Sequence, residues 1–341
     1  MEVLNMSNII NHYTSGDVFT SILLSKTIRF GDITCMNDYD ESKFGINQWF
    51  EGIRLSNIEG VDEKLANEID KLALEQKEML ENNPKYKIFA MCLSIDDDLL
   101  CMWNYYLKNS NIGGYNIGFD KDLLIAYLYE NIIKKINGAI LLHGEIQYLK
   151  DEEVLNRYHI LTEKIFTKSL KNRSYANILF NFADNISKDK FKNEEERNEA
   201  FQKFKEEGNK LESNIVNSKL GSIYMRTDNG DVLNHLWMNY FIKGYGFRDE
   251  REYRIIIAIP TNELDVNTSN NRKTSVYGYG TVYANGMIKP YIAVPFNKEA
   301  ITQIVISPYN SNRNPIKNTD EFCKNLNIDA NIKLSDLTVE F

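Results

Sequence analysis

The five residues Ile255-Ile256-Ile257-Ala258-Ile259 constrain this chain more than any other stretch. They are apolar, largely β-branched and uninterrupted, the pattern of a strand buried on both faces. Pro260 ends the run because proline has no N–H to give to a ladder. Charge precedes it, in Glu250-Arg251-Glu252-Tyr253-Arg254. If these residues continue the strand, side-chain alternation puts Glu250, Glu252 and Arg254 on one face, and Arg251 and Tyr253 on the other. Two carboxylates and a guanidinium then stand in a row where a buried sheet opens to solvent, either as a structural ion-pair rim or as the charged wall of a site.

The rest of the chain supplies partners for that strand. Ile9-Ile10-Asn11-His12-Tyr13-Thr14-Ser15 reads as a short strand, and residues 17–24 carry apolar side chains at helical spacing behind Ser15 or Asp17 as a cap. His12 thereby sits near a strand end facing a helix start. Residues 26–30 alternate like a strand, and Cys35-Met36-Asn37-Asp38-Tyr39-Asp40-Glu41 reads as a polar loop after it. Residues 88–93 predict a central strand. Asp96-Asp97-Asp98 then caps a helix with Leu99, Met102, Trp103 and Tyr106 on one face. Gly113-Gly114 opens a turn and strand ending at Asp120, which caps a helix over 123–136; residues 139–148 read as a strand. Trp237-Met238-Asn239-Tyr240 echoes the Trp103–Tyr106 spacing. Residues 275–283 and 291–296 predict a hairpin about Asn285-Gly286, 301–306 a buried strand, 318–325 a helix and 332–341 a terminal strand. Helices in the middle and strands toward the end indicate an α+β fold with a central mixed sheet. Residues 151–230 read as a charged helical insertion within a single domain spanning 1–341, since no Pro/Gly/Ser-rich linker flanks them.

Composition narrows the function classes. A formal net charge of -8 argues against broad, non-specific nucleic-acid binding, which rests on neutralising phosphates with Lys and Arg. The four cysteines lack paired metal-ligand spacing, the N-terminus lacks a signal-peptide pattern, and no apolar run approaches the ~18 residues of a membrane span. A cytoplasmic protein with reduced thiols and no membrane partner is the expectation. His143, His159 and His235 read as structural, and no Ser-His-Asp or Cys-His arrangement stands out. Asp38 and Glu41 with Glu252 could bind a divalent cation, which makes a metal-dependent nuclease a competing class. Twenty tyrosines suit a third class, a non-catalytic module sensing a nucleotide or a protein through an aromatic pocket.

Several of these signatures, taken in order, resemble one bacterial family. His12-Tyr13-Thr14, Asn37-Asp38-x-x-Glu41, the helix with Trp103 and Tyr106, Gly114 to Asp120, Glu250-x-Glu252-Tyr253-Arg254 and the late strand before Ser307-Pro308 are similar to the domain of unknown function numbered 2971. That resemblance implies a setting among phage-defence and toxin-like genes. His12-x-Thr14 early and Glu250-x-Glu252 late are also similar to ADP-ribosyltransferases of the His-Tyr-Glu type, which implies that fold and NAD as substrate. By this second resemblance His12 and Thr14, flanking Tyr13, hydrogen-bond NAD. Tyr39, or Tyr106 on the helix of Trp103, supplies the aromatic wall. Glu252 is the catalytic carboxylate at a developing oxocarbenium, Glu250 orients a protein or nucleic-acid acceptor, and Arg254 borders the ligand. Two departures bear on it: Tyr13 stands where that family has glycine, and Arg254 can pair with either glutamate. The expectation is one cleft lined by His12, Glu252 and a tyrosine.

Overall fold

A computed structural model of the chain describes residues 8–36, 47, 67, 71, 74, 86–107, 113–150, 239–266, 276–284, 286–310 and 313–337. The order is β1 (Ile9–Ser15), α1 (Gly16–Ser25), β2 (Thr27–Asp32), β3 (Tyr86–Ser94), α2 (Leu100–Leu107), β4 (Gly114–Asp120) and α3 (Lys121–Asn131). Then come β5 (Ile140–Glu145), β6 (Gln147–Leu149), β7 (Ile242–Gly244), β8 (Glu252–Pro260), β9 (Gly278–Ala284), β10 (Met287–Pro295), β11 (Ile301–Ile306), α4 (Pro315–Asn325) and β12 (Asn331–Leu334). The fold is α+β around a mixed ten-stranded sheet, and β6 and β7 make a separate parallel pair. All of residues 151–230, read above as a helical insertion, the polar loop from Asn37 onward and residues 232–238 with Trp237 lie outside the described residues.

β8 pairs with β3 along its whole length, Tyr86 opposite Pro260 and Ser94 opposite Glu252, and with β5 on its other edge. One edge of β3 is therefore taken by β8, and two strands divide the other. β1 meets it at Ser94, while β2 meets it at Phe89 and Ala90. The sheet forks there into an arm β1-β4-β11-β12 and an arm β2-β10-β9.

Alternation assigns the two faces. Ile255, Ile257 and Ile259 of β8 join Phe89, Met91 and Leu93 of β3 in the largest apolar cluster, covered by Phe19 and Leu23 of α1, Leu124 and Leu128 of α3 and Cys323 of α4. Ile256 and Ala258 face the other way, into a second cluster with Ile88, Ala90, Leu142 and Phe241. The strand is buried on both faces, as its composition requires, and each fully buried isoleucine contributes roughly 1.5–3 kcal/mol of transfer free energy. A third cluster, Tyr13, Met102, Trp103, Leu107 and Val305, packs α2 onto the second face over the other arm.

Local chemistry sets the boundaries. Asp120 Oδ1 accepts from Leu123 N and starts α3 as expected. Ser15 flanks α1 without a side-chain cap bond; the helix ends at Lys26, whose left-handed backbone (φ 52) returns its N–H to Ile22 O. The three aspartates before α2 do not act simply as helix caps. Asp96 pairs with Arg251, Asp97 with Lys333 and Gln303, and Asp98 accepts from Trp103 Nε1, Ser335 Oγ and Asp336 N, so they tie distant segments together. At the opposite end of the helix, a Cβ on Gly114 would lie 2.4 Å from Leu107 Cδ2 and 2.6 Å from Thr14 O. That glycine serves strand–helix contact.

Leu99 N–H is satisfied by Tyr13. Its hydroxyl accepts that bond at 2.9 Å and donates to Asp96 O at 3.0 Å. Tyr13→Phe leaves both backbone groups without this partner, so a loss of about 1–3 kcal/mol is expected in urea unfolding, with little change in the secondary-structure spectrum.

Candidate functional site

β8 begins at Glu252. Residues Tyr245–Glu250 form a 3-10 segment and Arg251 sits in the left-handed region (φ 46). Glu250 and Arg251 are therefore not strand residues, which corrects the simple alternation expected for them. The turn still returns the Glu250 carboxylate to the same place, because Lys243 of β7 reaches both glutamates. Lys243 Nζ lies 2.7 Å from Glu250 Oε2 and 3.3 Å from Glu252 Oε2, while Arg254 Nε lies 2.7 Å from Glu252 Oε1. Arg254 also donates to Tyr240 O at 2.8 Å, and Glu252 N–H donates to Tyr148 Oη at 2.7 Å.

This cluster occupies the seam between the two apolar clusters of the second face. Glu252 is 3 % exposed and Arg254 fully buried, whereas the Glu250 side chain keeps 24 % of its surface. Burial by itself would raise the Glu252 pKa. The charges of Arg254 and Lys243, with hydrogen bonds from Arg254 and Cys92, outweigh it and hold the carboxyl at about 2. Glu252 is thus a permanent carboxylate at neutral pH, with a cation at each oxygen, and is unsuited to proton transfer.

The aromatic border comes from α2 and the 3-10 segment. Tyr106 is 38 % exposed overall, so it is the phenol tip that is buried. That burial, then the neighbouring Cys92, Glu252 and Glu250 side chains, pushes its pKa well above the ordinary 10 and keeps it a hydroxyl donor. Burial likewise raises the Tyr148 phenol beside Glu252. Phe247 is 40 % exposed with Lys243 Nζ 4.7 Å from its ring centroid. Tyr245, 43 % exposed, is flanked by Arg248 and Lys150.

The residues expected to form one site are divided by the sheet. Asn11 faces Ser94, which faces Glu252, so Glu252 lies two strands from β1, roughly 10 Å away. His12 is one residue further along β1 and points to the opposite face, toward the largest cluster, with Thr14 beside it in alternation. Burial lowers the His12 pKa to about 4, partly offset by a hydrogen bond to the Cys92 backbone, and among the described residues its Nδ1 has no hydrogen-bond partner. It is a neutral imidazole at the fork of the sheet, where β1 leaves β3. Tyr13 and Trp103 are on the Glu252 face, but as core under α2, their rings 4.7 Å apart edge to face. Tyr106 and Glu250 are brought to Glu252; Tyr39, Asp38 and Glu41 lie outside the described residues.

Sequence reasoning missed Lys243, Tyr148 and Cys92. Lys243 follows Tyr240-Phe241-Ile242, and a lone cation closing a short apolar run is the one signal that could have marked it as buried. Among the described residues no group of three or more His, Cys, Asp or Glu side chains is placed to hold a metal ion, and no helix is long and apolar enough to cross a membrane. The four cysteines form no disulfide. No family model, no curated protein and no solved structure matches the chain.

Proposed function

We propose that the chain is a nucleotide-sensing module whose ligand sits over the Lys243–Glu250–Glu252–Arg254 cluster, with a base against the exposed rings of Tyr106 and Phe247. The observation that carries this reading is the pairing of part-exposed aromatic side chains with a fixed cluster of paired acidic and basic side chains at one end of β3 and β8. Aromatic faces take a base and fixed charges orient ribose and phosphate, which is recognition chemistry. Turnover by proton transfer has no support at this place, since Glu252 is held at about 2 by its cations and His12 is on the other face. The resemblance to the family numbered 2971 supports a defence or toxin-like setting for such a sensor.

ADP-ribosyl transfer from NAD to a macromolecule is the second reading, and one observation favours it. A carboxylate facing an oxocarbenium must be ionised, and Glu252 is. The metal-dependent nuclease reading is weaker, because Lys243 and Arg254 hold the Glu252 oxygens that a cation would need.

Thermal unfolding with ADP-ribose or NAD, alongside a nicotinamide-release assay, separates these readings. A sensor is stabilised by about 2.7 kcal/mol at a hundredfold excess over Kd without releasing nicotinamide. Release from NAD that is lost in Glu252→Gln supports the transferase; no stabilisation by either compound removes both.

A further inference from the structure

We propose that β9, the last strand of the arm β2-β10-β9, pairs edge to edge and antiparallel with β9 of a second copy of the chain, the two-fold passing through Thr281. This goes beyond the nucleotide reading and does not depend on it.

Among the described residues β9 pairs only with β10, which leaves its outer edge open. Edge strands are ordinarily protected against pairing by charge, proline, a bulge or shortness. β12, at the other end of the sheet, is four residues long and carries Lys333. β9 has none of these protections. Its seven residues, Gly278–Ala284, include no charge and no proline and run in unbroken register with β10. Val282 is 40 % exposed and Tyr283 75 %, and Ile288, opposite Tyr283 on β10, is 66 % exposed.

Charge and fit together identify the occupant. The chain has a formal net charge of -8, so two copies repel except where acidic groups are absent, and residues 276–296 contain no acid and one charged side chain, Lys289. A two-fold through Thr281 is the one register that uses all seven residues of both strands. It sets Gly278 opposite Ala284, Tyr279 opposite Tyr283 and Gly280 opposite Val282 of the second copy. A Cβ on Gly280 would lie 2.6 Å from Tyr291 Cζ and Oη, so the Tyr291 ring covers that glycine and offers its edge to the incoming valine. On the other face, Ile288 and Tyr283 line up with Tyr279 and Ile292 of the second copy. Tyr279 packs against the largest apolar cluster and Ile292 belongs to it, so the pairing continues each copy's main core across the interface. Seven paired residues and these side chains make an interface at the low end of specific ones, about 1,200 Å² in total, which corresponds to a reversible dimer with Kd on the order of 10 µM.

Analytical ultracentrifugation of the full chain across the micromolar range tests this. The weight-average mass is expected to rise toward twice that of the chain. Tyr283→Lys, at a position exposed enough to tolerate it, should weaken self-association by on the order of tenfold or more by placing like charges on the paired edges. Ile316→Lys, 42 % exposed on α4, should leave it unchanged. Thr281→Cys is the second test. Opposed residues of an antiparallel pair have Cα atoms about 4.5–5.5 Å apart, within disulfide reach, so mild oxidation should cross-link this variant to its own copy far more than Leu24→Cys, 62 % exposed on α1. A chain that stays monomeric throughout overturns the proposal and leaves the edge to a strand from a different protein. A dimer that survives Tyr283→Lys, with no gain in cross-linking for Thr281→Cys, places the contact on another surface and overturns it as well.

Discussion

Replacing Arg254 by methionine will destabilise the fold by about 3–5 kcal/mol, because it takes one of two cations from a buried carboxylate. Arg254 is fully buried and its Nε is 2.7 Å from Glu252 Oε1, so the variant leaves Glu252 with Lys243 but without the guanidinium that lowers its pKa most. It also removes a donor from Tyr240 O. The double variant Arg254→Met, Glu252→Gln tests the cause. If the cost is mainly the orphaned charge, the double variant will be more stable than Arg254→Met alone; if it is lost packing, the second change will not help. Urea unfolding at neutral pH reads both. The wild-type pair adds a pH dependence whose sign follows from the shift. The folded pKa of Glu252, about 2, is below its ordinary 4.5, so its contribution is full above 4.5 and is lost as pH falls from there through 2. His12 acts earlier. Its folded pKa near 4 lies below the ordinary 6.5, so the stability linked to keeping it neutral declines between pH 6.5 and 4. His12→Gln should flatten the upper part of the acid-unfolding profile and leave the lower part in place.

Much of the framework was legible because it depends on short-range chemistry. The isoleucine run, the Asp120 cap and the tight turn at Gly286 (φ 79), which sets Ala284 opposite Met287, follow from composition, capping and glycine's access to positive φ. The candidate site was legible only in part. Glu252 and Arg254 share a face because they are two apart on a real strand, but Glu250 joins them through a 3-10 turn and a left-handed Arg251 that no residue type announces. Arg251 is not glycine, asparagine or aspartate, the residues that usually mark that conformation. His12 was assigned to the Glu252 cleft because the one-residue register between Asn11 and Ser94 is a long-range fact, and a one-residue shift moves a side chain through the sheet. Lys243 was invisible as a site residue because two of its partners arrive from seven and nine positions later, across a 3-10 turn that no residue type announces.

Trp103→Ala will cost about 3–5 kcal/mol and will disturb the candidate site through α2. Trp103 is fully buried, packs edge to face on Tyr13, and donates from Nε1 to Asp98 Oδ1 at 2.7 Å. Removing it empties the centre of the third cluster and takes a donor from a carboxylate that also receives Ser335 Oγ and Asp336 N, so α2 and the chain after β12 loosen together. Trp103→Phe separates the two contributions. It keeps most of the ring packing and loses the N–H, with an expected cost of about 1–3 kcal/mol from the hydrogen bond and the smaller volume. If the two variants cost the same, the tie to Asp98 dominates and the packing account is wrong. Tyr106 is one helical turn beyond Trp103, with its phenol tip buried beside Glu252 and Glu250. Trp103→Ala should therefore weaken binding of any ligand that uses the Tyr106 face, measured below the unfolding transition. Tyr106→Phe should weaken it with a much smaller loss of stability, since only the hydroxyl is removed and the ring stays in place. A binding loss in Trp103→Ala with none in Tyr106→Phe would mean that α2 matters to the site as scaffold, and that the Tyr106 hydroxyl contributes nothing to recognition.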